Sequence, residues 1–260
     1  MVAAEAGQVS ARRRVLVEAC VDSIDGAMQA EWGGADRIEL SGELLQGGVT
    51  PSHGLIEAVW DQLSIPLFVL IRPRTGDFLY TSDELDVMER DIRVMRSLHV
   101  DGIVAGALTT DGDVDAGAMR CIIDAARPME VTFHRAFDFV RDQDAALDAL
   151  IELGVERVLT SGGAPTALQG AESLARLALR AGSDLTVMAG GGITATNVAE
   201  VIRRSGVREV HLRAAERVPS AMKHKRRERL LSRRQPPADD ERVVTRQALV
   251  REVREAIQDG

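Results

Sequence analysis

The chain has 260 residues, 45% of them hydrophobic and 28% charged, with a formal net charge of -8. That length carries one large domain or two small ones, and the acidic balance argues against a nucleic-acid or anionic-membrane partner. No apolar run reaches the roughly 20 residues of a membrane span, and the two cysteines, Cys20 and Cys121, make no disulfide framework and fit a reducing, cytoplasmic compartment.

Residues 1–14 are rich in Ala, Glu, Gly and Arg with no signal-peptide core, and read as a flexible tail. Eight short aliphatic runs follow: Val15–Val21, Arg37–Ser41, Leu67–Arg72, Gly102–Gly106, Glu130–His134, Arg157–Ser161, Leu185–Ala189 and Glu209–Arg213. Helical patterns lie between them, over Ser23–Trp32, Ser52–Gln62, Ser82–Leu98, Ala116–Arg127, Asp142–Leu153, Ala167–Ala181 and Thr194–Ser205, and Val243–Gln258 closes the series. Strict alternation means parallel strands joined by crossover helices. A repeat sharpens the reading. Gly34-Ala35-Asp36-Arg37, Gly154-Val155-Glu156-Arg157 and Gly206-Val207-Arg208-Glu209 each precede an even-numbered strand, and His99-Val100-Asp101-Gly102 is a fourth, weaker copy. Two strands and two helices repeated four times close into an α/β fold of the (β/α)8 barrel type, one domain over residues 15–260. A basic insert at about 216–242 interrupts it, running from Arg217 through Lys223 and Arg234 to Pro236-Pro237 and Asp239-Asp240-Glu241, and is expected to be exposed and mobile.

In such a barrel the site lies at the C-terminal ends of the strands. Alternation puts Glu18 and Cys20 on the inner face of the first strand, and Glu39 and Ser41 on that of the second. The fifth gives Thr132 and His134, with Asp138 beyond, and the eighth gives Glu209, His211 and Arg213. Val131, Phe133 and Arg135 fall on the opposite side by the same rule. Glu18, Glu39, Arg72, His134 and His211 are therefore expected to point inward. Arg72 and Arg74 flank Pro73 and suit an anionic ligand, and Ser161-Gly162 and Gly190-Gly191 end strands where barrels often cradle phosphate. These residues suggest His134 as an acid/base oriented by Asp138, with Glu39 or His211 as its partner, in an enzyme acting on a small anionic metabolite carrying phosphate or carboxylate. The same inner-face residues also suit an internal salt-bridge network with no role in binding.

Several motifs carry a resemblance. They are Gly33-Gly34-Ala35-Asp36-Arg37-Ile38-Glu39-Leu40, Gly47-Gly48-Val49-Thr50-Pro51-Ser52, Ile71-Arg72-Pro73-Arg74-Thr75-Gly76-Asp77-Phe78, Phe133-His134-Arg135-Ala136-Phe137-Asp138, Leu159-Thr160-Ser161-Gly162 and Met188-Ala189-Gly190-Gly191-Gly192. Over about Val15 to Arg213 the chain resembles the CutC family of copper homeostasis proteins. The resemblance implies a cytoplasmic (β/α)8 barrel, a homo-oligomer, and Cu(I) held by two cysteines, at the positions of Cys20 and Ser41. Serine at 41 removes one soft ligand, so copper binding is expected to be weak here. Arg213 also departs from the small residue expected two positions after the strand-eight histidine.

Overall fold

The computed structural model describes residues 14–224 and 241–259. Eight strands close in chain order into one barrel: β1 Leu16–Val21, β2 Arg37–Leu40, β3 Leu67–Leu70, β4 Gly102–Ala105, β5 Glu130–Phe133, β6 Arg157–Thr160, β7 Thr186–Gly190 and β8 Glu209–Leu212. Each strand is parallel to the next, and β8 pairs back onto β1. Around them lie α1 Ile24–Trp32, α2 His53–Trp60, α3 Ser82–Ser97, α4 Ala116–Ala126, α5 Gln143–Leu153, α6 Ala171–Ala181, α7 Val198–Ser205 and α8 Gln247–Asp259. The expected (β/α)8 barrel is the fold observed. Among the described residues no helix is long and apolar enough to cross a membrane.

The fourfold repeat has a mechanical basis. Gly34, His99, Gly154 and Gly206 all take positive φ, from 57° at His99 to 94° at Gly34, which turns the chain off the helix and down into the next strand. The acid two residues later ties down the preceding odd-numbered strand. The carboxylates of Asp36, Asp101 and Glu156 accept from the backbone N–H of Val17, Leu67 and Val131. In the eighth-strand copy Arg208 replaces the acid, and its backbone carbonyl accepts from Leu16 N–H on the following strand, β1.

The first inward residue of each even strand forms the floor. Arg37 bridges Glu18 and Glu209, and Arg157 bridges Glu209 and Glu130. Gly102 takes the fourth place because Phe68 fills it: a Cβ there would sit 2.3 Å from the phenyl ring. Both guanidiniums lie over that ring, 4.8 and 5.4 Å from its centre. The floor is thus a closed plug of paired charge around one aromatic. The larger aliphatic core lies outside the strands, where Ile38, Leu40, Leu67, Ile92, Ile103 and Met119 pack between barrel and helices.

Helix starts follow their caps. Ser23, Ser52, Thr81, Asp115 and Asp142 each accept a backbone N–H of the first turn, and Thr81 with Glu84 completes a reciprocal capping box. The sixth and seventh helices begin four residues later than their periodicity suggests, after loops at Gly170 and Asn197. The basic insert needs a larger correction. Its two ends pair as antiparallel strands β9 Ala215–Pro219 and β10 Glu241–Thr245, with Thr245 buried. The last helix accordingly starts at Gln247, because the β-branched run Val243-Val244-Thr245 is consumed by the ribbon. Residues 225–240, including Pro236-Pro237, lie outside the described residues, as do residues 1–13 of the tail. Arg14, placed in that tail by the sequence, pairs with Asp36 instead.

Candidate functional site

A cavity of about 190 Å³ opens at the C-terminal end of the barrel, and Cys20, Glu39, Arg72, His134, Arg135, His211 and Arg213 are among its lining residues. A wider depression of about 650 Å³ lies at the opposite end, along Arg14, Leu185 and Arg208. It lacks the buried acid–histidine group, so the smaller cavity is the candidate site.

One wall is a chain of ionisable groups. Glu18 on β1 is fully buried, ion-paired to Arg37 and 2.7 Å from Nδ1 of His211 on β8. Burial alone would raise its carboxyl, but Arg37 and His211 outweigh burial and hold it at about 2. Glu39 stands opposite Cys20 in the β1–β2 register. Burial lifts Glu39 to about 7, with His211 opposing and Glu18 adding to the rise. Burial also works against charge on His211. The neighbouring Cys20, Glu39 and Glu18 outweigh burial and hold it charged well above the usual imidazole range. Ligand atoms of Glu18, Glu39 and His211 lie within 4.8 Å of one another.

His134 forms the opposite wall. It follows β5 at the start of a short 3-10 turn, Arg135–Phe139, and its Nδ1 accepts the backbone N–H of Ala136 at 3.2 Å. Its ring lies 4.8 Å from that of Phe78, and its Nε2 is buried with no partner. Burial, with Arg72 adding, pushes the imidazole down to about 3. It is neutral at physiological pH.

Asp138 does not orient His134, as the sequence reading had it. Its carboxylate accepts from Thr160 Oγ1 at 2.5 Å, from the backbone N–H of Ser161 and Gly163 at 3.0 and 3.1 Å, and from Arg135 Nε at 2.7 Å. Gly162 N–H donates to Thr160 Oγ1. The β6 end is therefore an anion cradle already filled by the protein's own carboxylate. Gly190 and Gly191 allow close packing. A Cβ on Gly190 would lie 2.4 Å from Leu159, and one on Gly191 would lie 3.4 Å from the Arg135 guanidinium.

The arginine pair diverges at Pro73. Arg72 is buried at the cavity and donates to the carbonyls of Gly47, Gly48 and Gly76, with its guanidinium 4.9 Å from the Phe78 ring. Arg74 turns away to Glu84, Asp77 and the Leu79 carbonyl, stacked on Tyr80, and is not among the lining residues. Ser41 is buried with an unpartnered Oγ, in contact with the space above Gly48. Because Cys20 faces Glu39, Ser41 stands two residues higher on its strand, diagonal to Cys20 rather than beside it. Arg135 is the lining residue that alternation put on the wrong side. The strand stops at Phe133, and the three-residue spacing of Arg135 and Asp138 was the available sign of a turn.

The CutC family model matches residues 15–216. This chain belongs to the CutC family. It is 48% identical over 217 residues to a human protein named copper homeostasis protein cutC homolog, covering 84% of this chain and 80% of that one. A CutC family protein from Mesorhizobium japonicum is 45% identical over 213 residues, with 82% and 83% covered. A crystal structure of CutC from Streptococcus agalactiae superposes with a TM-score of 0.73 at 32% identity, covering 76% of this chain and 97% of that one. Thiamine phosphate pyrophosphorylase from Pyrococcus furiosus, at 14% identity and a TM-score of 0.58, shares the barrel fold alone with this CutC chain.

Proposed function

We propose that this CutC chain serves copper homeostasis in the cytoplasm, taking Cu(I) as cargo at the barrel mouth through Cys20 and His211. The observation that carries this is that the buried Cys20 and His211 line the same cavity at the C-terminal end of the barrel. The relatives' names support it. A thiolate and an imidazole suit Cu(I), but one thiolate compensates the ion less than two, and serine stands where the second cysteine was expected. His211 must also release the proton that Glu18 and Glu39 help it hold, so binding competes with protons and strengthens as pH rises. The test is an anaerobic competition titration against a Cu(I) chelator. Cys20→Ala is expected to weaken binding by about tenfold or more. If the variant competes as well as the parent, Cu(I) is not held at Cys20.

A second reading is favoured by Glu39. A carboxyl near 7 facing a charged imidazole is a matched proton acceptor and donor, which suits acid–base chemistry on a small anionic metabolite.

A further inference from the structure

We propose that the barrel-mouth cavity recognises a small carboxylate, with one oxygen accepting the Nε2–H of His134 and the charge matched by Arg72. This rests on the small-anion reading and gives that anion a chemical class. His134 is held in one tautomer. Nδ1 accepts the Ala136 N–H, so its lone pair is occupied and the ring proton must sit on Nε2. That makes Nε2 a donor. It is buried, has no partner, and belongs to a side chain lining the cavity and only 6% exposed. A buried donor left unmade is costly, and a ligand oxygen would satisfy it. The same tautomer leaves Nε2 without a lone pair for a metal, so His134 does not join Cys20 as a copper ligand.

Charge points the same way. Arg72 is 5% exposed and donates only to backbone carbonyls, and among the described residues no carboxylate pairs with it. The other buried arginines of the barrel interior, Arg37 and Arg157, each have carboxylate partners. The uncompensated cation and the unpartnered donor flank one ring, Phe78, with the guanidinium over its face and the imidazole tilted against it. An anion entering there finds a full charge and a hydrogen bond together. Phosphate is the poorer fit. The backbone N–H groups that would cradle it at the β6 end are taken by Asp138. What remains beside Phe78 is a neutral imidazole N–H and the Arg72 guanidinium; the cavity of about 190 Å³ is also lined by Arg135, His211 and Arg213, of which Arg135 is paired to Asp138 and His211 to Glu18, and this favours a planar, singly charged carboxylate over a dianionic tetrahedral group.

The experiment uses the full chain, labelled with ¹⁵N-histidine, and reads long-range ¹H–¹⁵N spectra at pH 6 to 8, with His134→Phe assigning the ring. Glycolate and inorganic phosphate are added separately at matched ionic strength. The expected result is an Nε2–H signal for His134 that does not titrate, shifts saturably with glycolate and ignores phosphate. Glycolate affinity should fall about tenfold or more in His134→Phe, as for a lost charge-assisted hydrogen bond. A His134 that carries its proton on Nδ1, or that titrates, overturns the proposal even if the cavity binds anions. A shift with phosphate matching that with glycolate overturns the carboxylate assignment and leaves the small-anion reading standing. Response to neither probe overturns both.

Discussion

Glu39 keeps its proton up to about pH 7 in the folded chain, against a usual carboxyl value of 4.5. Below 4.5 both folded and unfolded chains hold that proton and it has no effect on stability relative to that limit. Between 4.5 and 7 the unfolded chain releases it first, so rising pH removes stability, and above 7 the loss is complete. Glu39→Gln cannot ionise and escapes this loss. Its stability relative to the parent is therefore expected to rise from pH 5 to pH 8 by an amount on the order of 2 kcal/mol. Urea denaturation at the two pH values reads the difference, and a gap that does not change with pH would refute the buried, proton-holding Glu39. Glu18 works in the opposite direction. Its folded value of about 2 lies below 4.5, so its contribution is present above 4.5 and lost as pH falls towards 2. His211, raised, contributes below 6.5 and loses that contribution as pH climbs through its folded value. The inward set Glu18, Cys20, Glu39 and His211 was legible because alternation along a strand is a fixed geometric rule. The partners of Arg72, Arg74 and Asp138 were not, because each lies on a loop, where hydrogen bonds rather than periodicity choose the direction.

Gly33 shows how helices α1 and α8 close the barrel's seam. A Cβ at that position would lie 2.6 Å from Cβ of Val250 and 2.8 Å from the Gln247 carbonyl oxygen. The second of these is backbone, so the clash cannot be relieved by a side-chain rotation. Gly33→Ala is expected to destabilise the chain by about 1–3 kcal/mol, the usual cost of overpacking, even though Gly33 sits at φ -75° where alanine has no backbone strain. Chemical denaturation checks it, and a neutral effect would mean that α8 is not docked as described. At this scale the repeat made the strand entries readable, since one turn and one acid recur at fixed spacing. The β9–β10 ribbon was not readable. Val243-Val244-Thr245 is only a strand when Ala215–Pro219 lies against it, and that partner is distant in sequence.

Across the whole molecule the two ends of the barrel differ in how completely they satisfy themselves. The floor ties β1, β2, β5, β6 and β8 together through Arg37, Glu18, Glu209, Arg157 and Glu130. Arg37→Met would leave Glu18 and Glu209 short of their counter-charge inside the barrel. A destabilisation of about 3–5 kcal/mol is expected, as when one partner of a buried pair is removed, with unfolding still a single transition because the network spans the sheet. A loss under about 1 kcal/mol by urea denaturation would show that the floor charges are well hydrated instead. The internal salt-bridge network that strand patterning alone could not separate from a site is thus real, and lies one layer beneath the cavity. The mouth leaves a donor and a cation open, while Asp138 closes the adjoining β6 end from within. A single side chain, that carboxylate, fills the whole of that end. The turn, the glycines and Arg135 are already shaped for an oxyanion, and only their tenant would have to leave. A single substitution at position 138 would free those donors for an oxyanion from outside, with no loop to rebuild.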